Sequence, residues 1–264
     1  MTFPIYQVDA FTNQRFAGNP AAVVVMEEAQ LGMMEVSMMQ AIAAENNLSE
    51  TAFLVPEGAG WQLRWFTPSV EVDLCGHATL ACAHILFTEG YSSASRLEFY
   101  TASGTLVVSR EGDGYCLDFP AKLGEPATLP AALAERLGFE PEACLNTGRQ
   151  WLVVTSEANV RGFAHHFSDQ PGDGGIILTA QGSGEFDVVS RYFGFAGLGI
   201  EEDPVTGSAH CLLIPYWAKR LAKNSLKAYQ ASKRGGVLHC CVEGARVTMA
   251  GDAVTYMKGS LYLA

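Results

Sequence analysis

The feature that most constrains this chain is that it is written twice. Gly60-Trp-Gln-Leu-Arg-Trp-Phe66 alternates in the manner of a strand, and a loop then leads to Gly76-His77-Ala78 and an apolar run ending near Gly90. Phe186-Asp-Val-Val-Ser-Arg-Tyr-Phe193 alternates too, and a longer loop leads to Gly207-Ser208-Ala209 and a second apolar run. Arg64-Trp65-Phe66 matches Arg191-Tyr192-Phe193 at an offset of 127, and Gly76 matches Gly207 at an offset of 131. Downstream, Leu97, Tyr100, Ala102 and Ser103 recur as Leu226, Tyr229, Ala231 and Ser232, each 129 residues later. Both copies continue into strand-like stretches at 105–110 and 115–119, and at 237–242 and 247–250, with glycine-rich turns between them. The period is too long for a solenoid, so the reading is a duplicated domain. The division expected is residues 1–120 and 121–264, with the last few residues free to return to the first half.

The two repeated helices set the architecture. Ala78-Thr-Leu-Ala-Cys-Ala-His-Ile-Leu-Phe87 is apolar on nearly every side, and so is Ala209-His-Cys-Leu-Leu-Ile214. Helices with no polar face are wrapped by other structure. The fold predicted is therefore α+β: two pseudo-symmetric domains, each a mostly antiparallel, barrel-like sheet around one central buried helix. Pro215 inside the second run is expected to kink that helix or to mark its irregular part.

Composition narrows the chemistry. With 48% hydrophobic and 17% charged residues, the 264-residue chain can build a substantial core. A net charge of −11 repels phosphate backbones and anionic lipid surfaces, which argues against nucleic acid and membrane as partners. The N-terminus does not read as a signal peptide, and no stretch approaches a membrane span. Seven irregularly spaced cysteines without a C-x-x-C pair fit reduced thiols in a cytoplasm. There is no Walker A sequence, no G-x-G-x-x-G, no G-x-S-x-G elbow, and no pair of zinc-type ligand motifs, so no metal is expected.

What remains are acids, bases and helix starts. Each buried helix opens on glycine, and its free N–H groups and positive dipole end suit an anion. Two such starts facing one another across a cleft between the halves would grip a carboxylate and stabilise an enolate-like intermediate. The alternative is that each glycine is only a tight entry into its helix.

Glu45 falls near the end of a helix expected from about Met33 to Asn46. Met38, Ala41, Ile42 and Glu45 share one face, which would bury the carboxylate and raise its pKa, as a proton shuttle on carbon requires. The competing role is a glutamate reaching out to solvent at a helix end. Asp203 closes Glu201-Glu202-Asp203, either as helix N-terminal charge or as a second acid–base group. His77 is either a titrating partner or a hydrogen-bonded cap. Cys75 is an activated thiol at a helix start or a small buried residue; its counterpart in the second half is Thr206, which counts against a two-thiol racemase.

Together these segments resemble a known family. Asp9-Ala10-Phe11 with Phe16-Ala17-Gly18-Asn19-Pro20, Ala44-Glu45-Asn46-Asn47-Leu48-Ser49-Glu50-Thr51, Leu74-Cys75-Gly76-His77-Ala78-Thr79 and Glu202-Asp203-Pro204-Val205-Thr206-Gly207-Ser208-Ala209-His210 resemble the PhzF-like (phenazine biosynthesis) family over essentially the whole chain. The resemblance implies a diaminopimelate-epimerase-like fold, a homodimer, no cofactor, and isomerisation of a small carboxylate-bearing substrate by a proton shift. By that likeness Glu45 is the proton shuttle and His77, Asp203 and Ser208 surround the substrate. Asn19, Gly76, Ala78, Gly207 and Ala209 would hold its polar groups. The Leu74-Cys75-Gly76-His77 segment is more similar to the broad general branch of the family than to the phenazine enzymes themselves. Two other functions remain open: an epimerase or racemase using Cys75, and a binding or interaction protein on the same fold.

Overall fold

A computed structural model of the protein describes residues 1–112 and 114–263, with the backbone alone at 31–33. Its internal contacts divide the chain into two units, residues 1–118 with those from 250 onward, and residues 119–249.

In the first unit, β1 (Thr2–Ala10) and β2 (Asn19–Val25) precede a 3-10 turn at Glu28–Met33 and helix α1 (Val36–Asn46). Then come β3 (Glu50–Glu57), β4 (Gly60–Phe66), the short β5 (Glu71–Val72) and the long helix α2 (Gly76–Thr88). Strands β6 (Arg96–Thr101), β7 (Gly104–Glu111) and β8 (Gly114–Pro120) follow. Strand β1 pairs antiparallel with β2, β2 parallel with β3, β3 antiparallel with β4, β4 parallel with β6, and β6 antiparallel with β7.

The second unit contains β9 (Glu125–Pro126), α3 (Ala131–Leu137), β10 (Ala143–Asn146), β11 (Gln150–Val154) and α4 (Glu157–Gly162). It continues with β12 (Gly175–Gln181), β13 (Val188–Gly194), β14 (Glu202–Asp203) and α5 (Gly207–Leu221). Strands β15 (Ser225–Gln230), β16 (Gly236–Glu243) and β17 (Arg246–Gly251) end the repeat. Here β10 pairs antiparallel with β11, β11 parallel with β12, β12 antiparallel with β13, β13 parallel with β15, and β15 antiparallel with β16. The pairing scheme is thus repeated join for join: mainly antiparallel, with two parallel joins in each unit. The last strand, β18 (Ala253–Tyr262), runs antiparallel along β1.

Each long helix is enclosed by its own unit. Every residue of α2 from Gly76 to Leu86 is buried, against β1, β2, β3, β7 and β18. Helix α5 buries Gly207, Ala209 to Ile214 and Trp217, against β11, β12, β15 and β16. A fully buried Leu or Ile contributes roughly 1.5–3 kcal/mol, so these near-saturated helices are the centre of each core. Polar bonds fix how they sit. His84 joins the Tyr115 hydroxyl and Thr255 Oγ1 through its two ring nitrogens, both at 2.9 Å, and Trp217 Nε1 donates to Thr179 Oγ1 at 2.9 Å.

Pro215 lies within one continuous helix. Having no N–H, it frees the carbonyl of Cys211, and the backbone N–H of Lys122 donates to that oxygen at 2.8 Å. The break in the ladder is repaired by a neighbouring segment.

Helix α1 differs from its sequence reading. It begins at Val36, and its buried residues are Met39, Ile42 and Ala43, while Met38, Ala41 and Glu45 are exposed. The apolar stripe starts one residue later than expected, which rotates Glu45 off it. The stop at Asn46-Asn47 is as read: Asn47 adopts a left-handed conformation at φ 49°. Among the described residues no helix is long and apolar enough to cross a membrane.

Candidate functional site

The two long helices begin alike. Cys75 caps α2 at φ −143°, ψ 106°, and Thr206 caps α5 at φ −112°, ψ 102°, and neither side chain accepts a hydrogen bond from its helix. One turn on, Thr79 Oγ1 donates to the Cys75 carbonyl at 2.5 Å, and at the matching position His210 Nδ1 donates to the Thr206 carbonyl at 2.8 Å. The cap carbonyl is thereby pinned in both units. The first-turn N–H groups at Gly76, His77 and Ala78, and at Gly207, Ser208 and Ala209, are the donors that a helix start offers to negative charge.

In the first unit these donors adjoin a buried polar cluster. Asn19 Nδ2 lies 3.0 Å from His77 Nδ1, Cys75 Sγ lies 3.5 Å from the same nitrogen, and Glu50 Oε2 lies 3.0 Å from His77 Nε2. The loop that delivers Asn19 is built by its own sequence. The Phe16 N–H donates to Asp9 Oδ2 at 2.8 Å, and Phe11, Phe16 and Gly18 all take positive φ. Gly18 is required there, because a Cβ would meet the Ala10 carbonyl oxygen at 2.2 Å. Glu50, Cys75 and His77 offer ligand atoms within 4.8 Å of one another. Cys75 and Glu50 face opposite nitrogens of the ring.

In the second unit Thr206 Oγ1 donates to Asp203 Oδ2 at 2.5 Å, and Gln230 Nε2 donates to the Asp203 carbonyl at 2.6 Å. Gln230 Oε1 accepts from Thr206 N at 2.8 Å, locking β14 to the helix start. Gln150 Nε2 donates to Ser208 Oγ at 3.2 Å, and burial pushes the pKa of the Tyr192 hydroxyl up to about 12, with Gln150 opposing the shift. Ser208 is only partly buried. His210 is fully buried, and desolvation lowers its pKa to about 4, so it is a neutral structural donor.

The strand registers show how the units diverge. Thr51 pairs with Phe66 and Ile176 with the matching Phe193, so Glu50 and Gly175 occupy corresponding places. His77 corresponds to Ser208, and Cys75 to Thr206. The scaffold is repeated, and the acids and bases are not.

The sequence-predicted residues therefore fall into three places. Asn19, Gly76, His77 and Ala78 share the buried α2 start, and Asp203, Gly207, Ser208 and Ala209 share the α5 start. Glu45 stands exposed on the last turn of α1, where the neighbouring Asn46 Nδ2 donates to Thr51 Oγ1 at 3.0 Å. The burial expected for Glu45 is absent, because the stripe it was assigned to lies on Met39, Ile42 and Ala43. Sequence reasoning passed over Glu50 as a candidate, although it stands in the Ala44–Thr51 segment that carries the family resemblance. Its signal was an acid at the first residue of a buried strand, and it is 8% exposed. Gln150 and Tyr192 gave no signal of their own.

Known proteins match this chain over nearly its whole length. The sequence model of the family described as "Phenazine biosynthesis-like protein" matches residues 8–259. An uncharacterized isomerase of Pseudomonas aeruginosa is 48% identical over 265 residues, covering 100% of both chains. The crystal structure of a PhzF-family phenazine biosynthesis protein from Enterococcus faecalis superposes with a TM-score of 0.92 at 45% identity, again over 100% of both chains. A hydroxyproline epimerase from Agrobacterium vitis shares the fold at a TM-score of 0.62 and 11% identity, over 98% of this chain and 92% of that one.

Proposed function

Because this chain belongs to the phenazine biosynthesis-like family, an enzyme family, we propose that it is an isomerase that shifts a proton from one carbon to another on a small carboxylate-bearing substrate. A side-chain carboxylate, and no cofactor, moves the proton. Glu45 is the shuttle, His77, Asp203 and Ser208 are the polar groups around the reacting atoms, and Asn19, Gly76, Ala78, Gly207 and Ala209 hold the substrate. A homodimer working in a reducing cytoplasm completes the reading, supported by the family likeness and by seven irregularly spaced cysteines without a C-x-x-C pair.

The observation that carries the proposal is the asymmetry within the repeat. Racemisation asks for equivalent bases on two faces of one carbon. A directed shift asks for one base and different polar groups elsewhere. Cys75-Gly76-His77 stands against Thr206-Gly207-Ser208, Glu50 stands against Gly175, and exposed Glu45 is free to meet a ligand. The helix starts supply N–H donors that gain strength as an enolate-like charge develops.

One observation favours a second reading, an epimerase using Cys75: its Sγ lies 3.5 Å from His77 Nδ1 at a helix N-terminus, a setting that activates a thiol. Cys75→Ala separates the two. On the isomerase reading it keeps turnover within a few-fold of wild type on whichever carboxylate a substrate screen identifies; abolished turnover would transfer the role of base to Cys75.

A further inference from the structure

We infer that Glu50 is the positioning residue of His77, fixing its ring as the Nε2–H tautomer with an unprotonated Nδ1 turned to Asn19 and Cys75. His77 is a group that the proposed function uses, but the tautomer is read without turnover, so this inference and that reading can fail separately.

A carboxylate oxygen accepts, so a proton on the ring is favoured at the nitrogen beside Glu50 Oε2, which is Nε2 at 3.0 Å. The contact is electrostatic: the two atoms lie within ion-pair distance without the alignment of a hydrogen bond. On the other side, Asn19 Nδ2 is a donor 3.0 Å from Nδ1, which must then be an acceptor. Turning the Asn19 amide over would put an oxygen at Nδ1 and require a proton there. A neutral ring would then aim the Nε2 lone pair at a carboxylate oxygen 3.0 Å away, with the whole group shielded from water. The Glu50 charge decides which way the chain of donors runs. The thiol of Cys75, 3.5 Å from Nδ1, faces the basic nitrogen as a result.

The repeat gives independent support. Where the first unit has Glu50 and His77, the second has Gly175 and Ser208, so acid and imidazole occur together in one unit and are replaced together in the other. A buried carboxylate is costly without a partner, and in this cluster His77 is the titratable group beside it.

The test is a two-bond proton–nitrogen NMR correlation at neutral pH on full-length protein labelled with 15N-histidine, with His77 assigned from the spectrum of His77→Gln. The expected result is a protonated Nε2 and an unprotonated Nδ1. A proton on Nδ1, in a neutral or a doubly protonated ring, overturns the inference. Glu50→Gln adds a second reading, because an amide can both accept and donate and so cannot enforce one tautomer. Both nitrogens should then move to intermediate shifts. If the variant folds and its His77 signals match wild type, Glu50 does not set the tautomer; if it does not fold, the wild-type spectrum still decides whether the assigned tautomer exists.

Discussion

Arg191 meets Glu202 through two parallel bonds, Nε to Oε1 at 2.6 Å and Nη2 to Oε2 at 2.9 Å, at the same point of the repeat where Arg64 meets Glu71 with both bonds at 2.7 Å. Each arginine also lies over the ring of the phenylalanine two residues on, Phe193 or Phe66. Duplication has preserved this brace between β4 and β5, and between β13 and β14, while the residues at the helix starts have diverged. The braces hold the entries to the loops that lead to α2 and α5.

The two braces should differ in worth. Arg191 is 13% exposed and also donates to the Phe163 carbonyl at 2.6 Å, whereas Arg64 is 31% exposed. Arg64→Met should cost about 0–1 kcal/mol, as exposed pairs do. Arg191→Met should cost about 2–3 kcal/mol, because it strands a half-buried carboxylate and a carbonyl. Urea unfolding of both variants measures this, and equal losses would contradict the ranking.

Gly175 carries a sharper expectation. A Cβ there would meet the Phe193 carbonyl oxygen at 2.5 Å and the Tyr192 hydroxyl at 2.6 Å. Gly175→Ala should therefore cost about 1–3 kcal/mol and displace the Tyr192 ring. A melting curve within about half a kcal/mol of wild type, with unchanged tyrosine fluorescence, would show that the strand yields there without strain.

Two buried histidines predict the acid response. Desolvation lowers both His84 and His210 from 6.5 to about 4, although Glu89 opposes the shift at His84. The unfolded chain thus binds more protons than the native one between these values. Stability rises with pH across that window and is lost as pH falls from about 6.5 toward 4. Replacing His210 with Gln should flatten the urea-midpoint profile in that window. A profile as steep as wild type would assign the acid sensitivity to other groups.

The legible parts of this protein were those that sequence encodes locally or twice. The offsets of Arg64 to Arg191 and Gly76 to Gly207 led directly to matched strands and enclosed helices, because an all-apolar helix can only be wrapped. The face of α1 was misread because Met38 and Met39 serve an apolar pattern equally well, and packing chose Met39. Glu50 was missed because its partner His77 is distant in sequence, and only the β2–β3–α2 packing brings them together. The role of Gln150 depends in the same way on Ser208 and Tyr192, which a single sequence does not link to it.

The central claim is that Glu45 moves a proton at carbon. It is tested most directly by following deuterium incorporation into small carboxylate substrates in heavy water, with wild-type protein and Glu45→Gln side by side. Wild type should show enzyme-dependent exchange at a C–H position, slowed about 100-fold or more in the variant, as loss of a positioned general base does. Exchange as fast in Glu45→Gln as in wild type would contradict it.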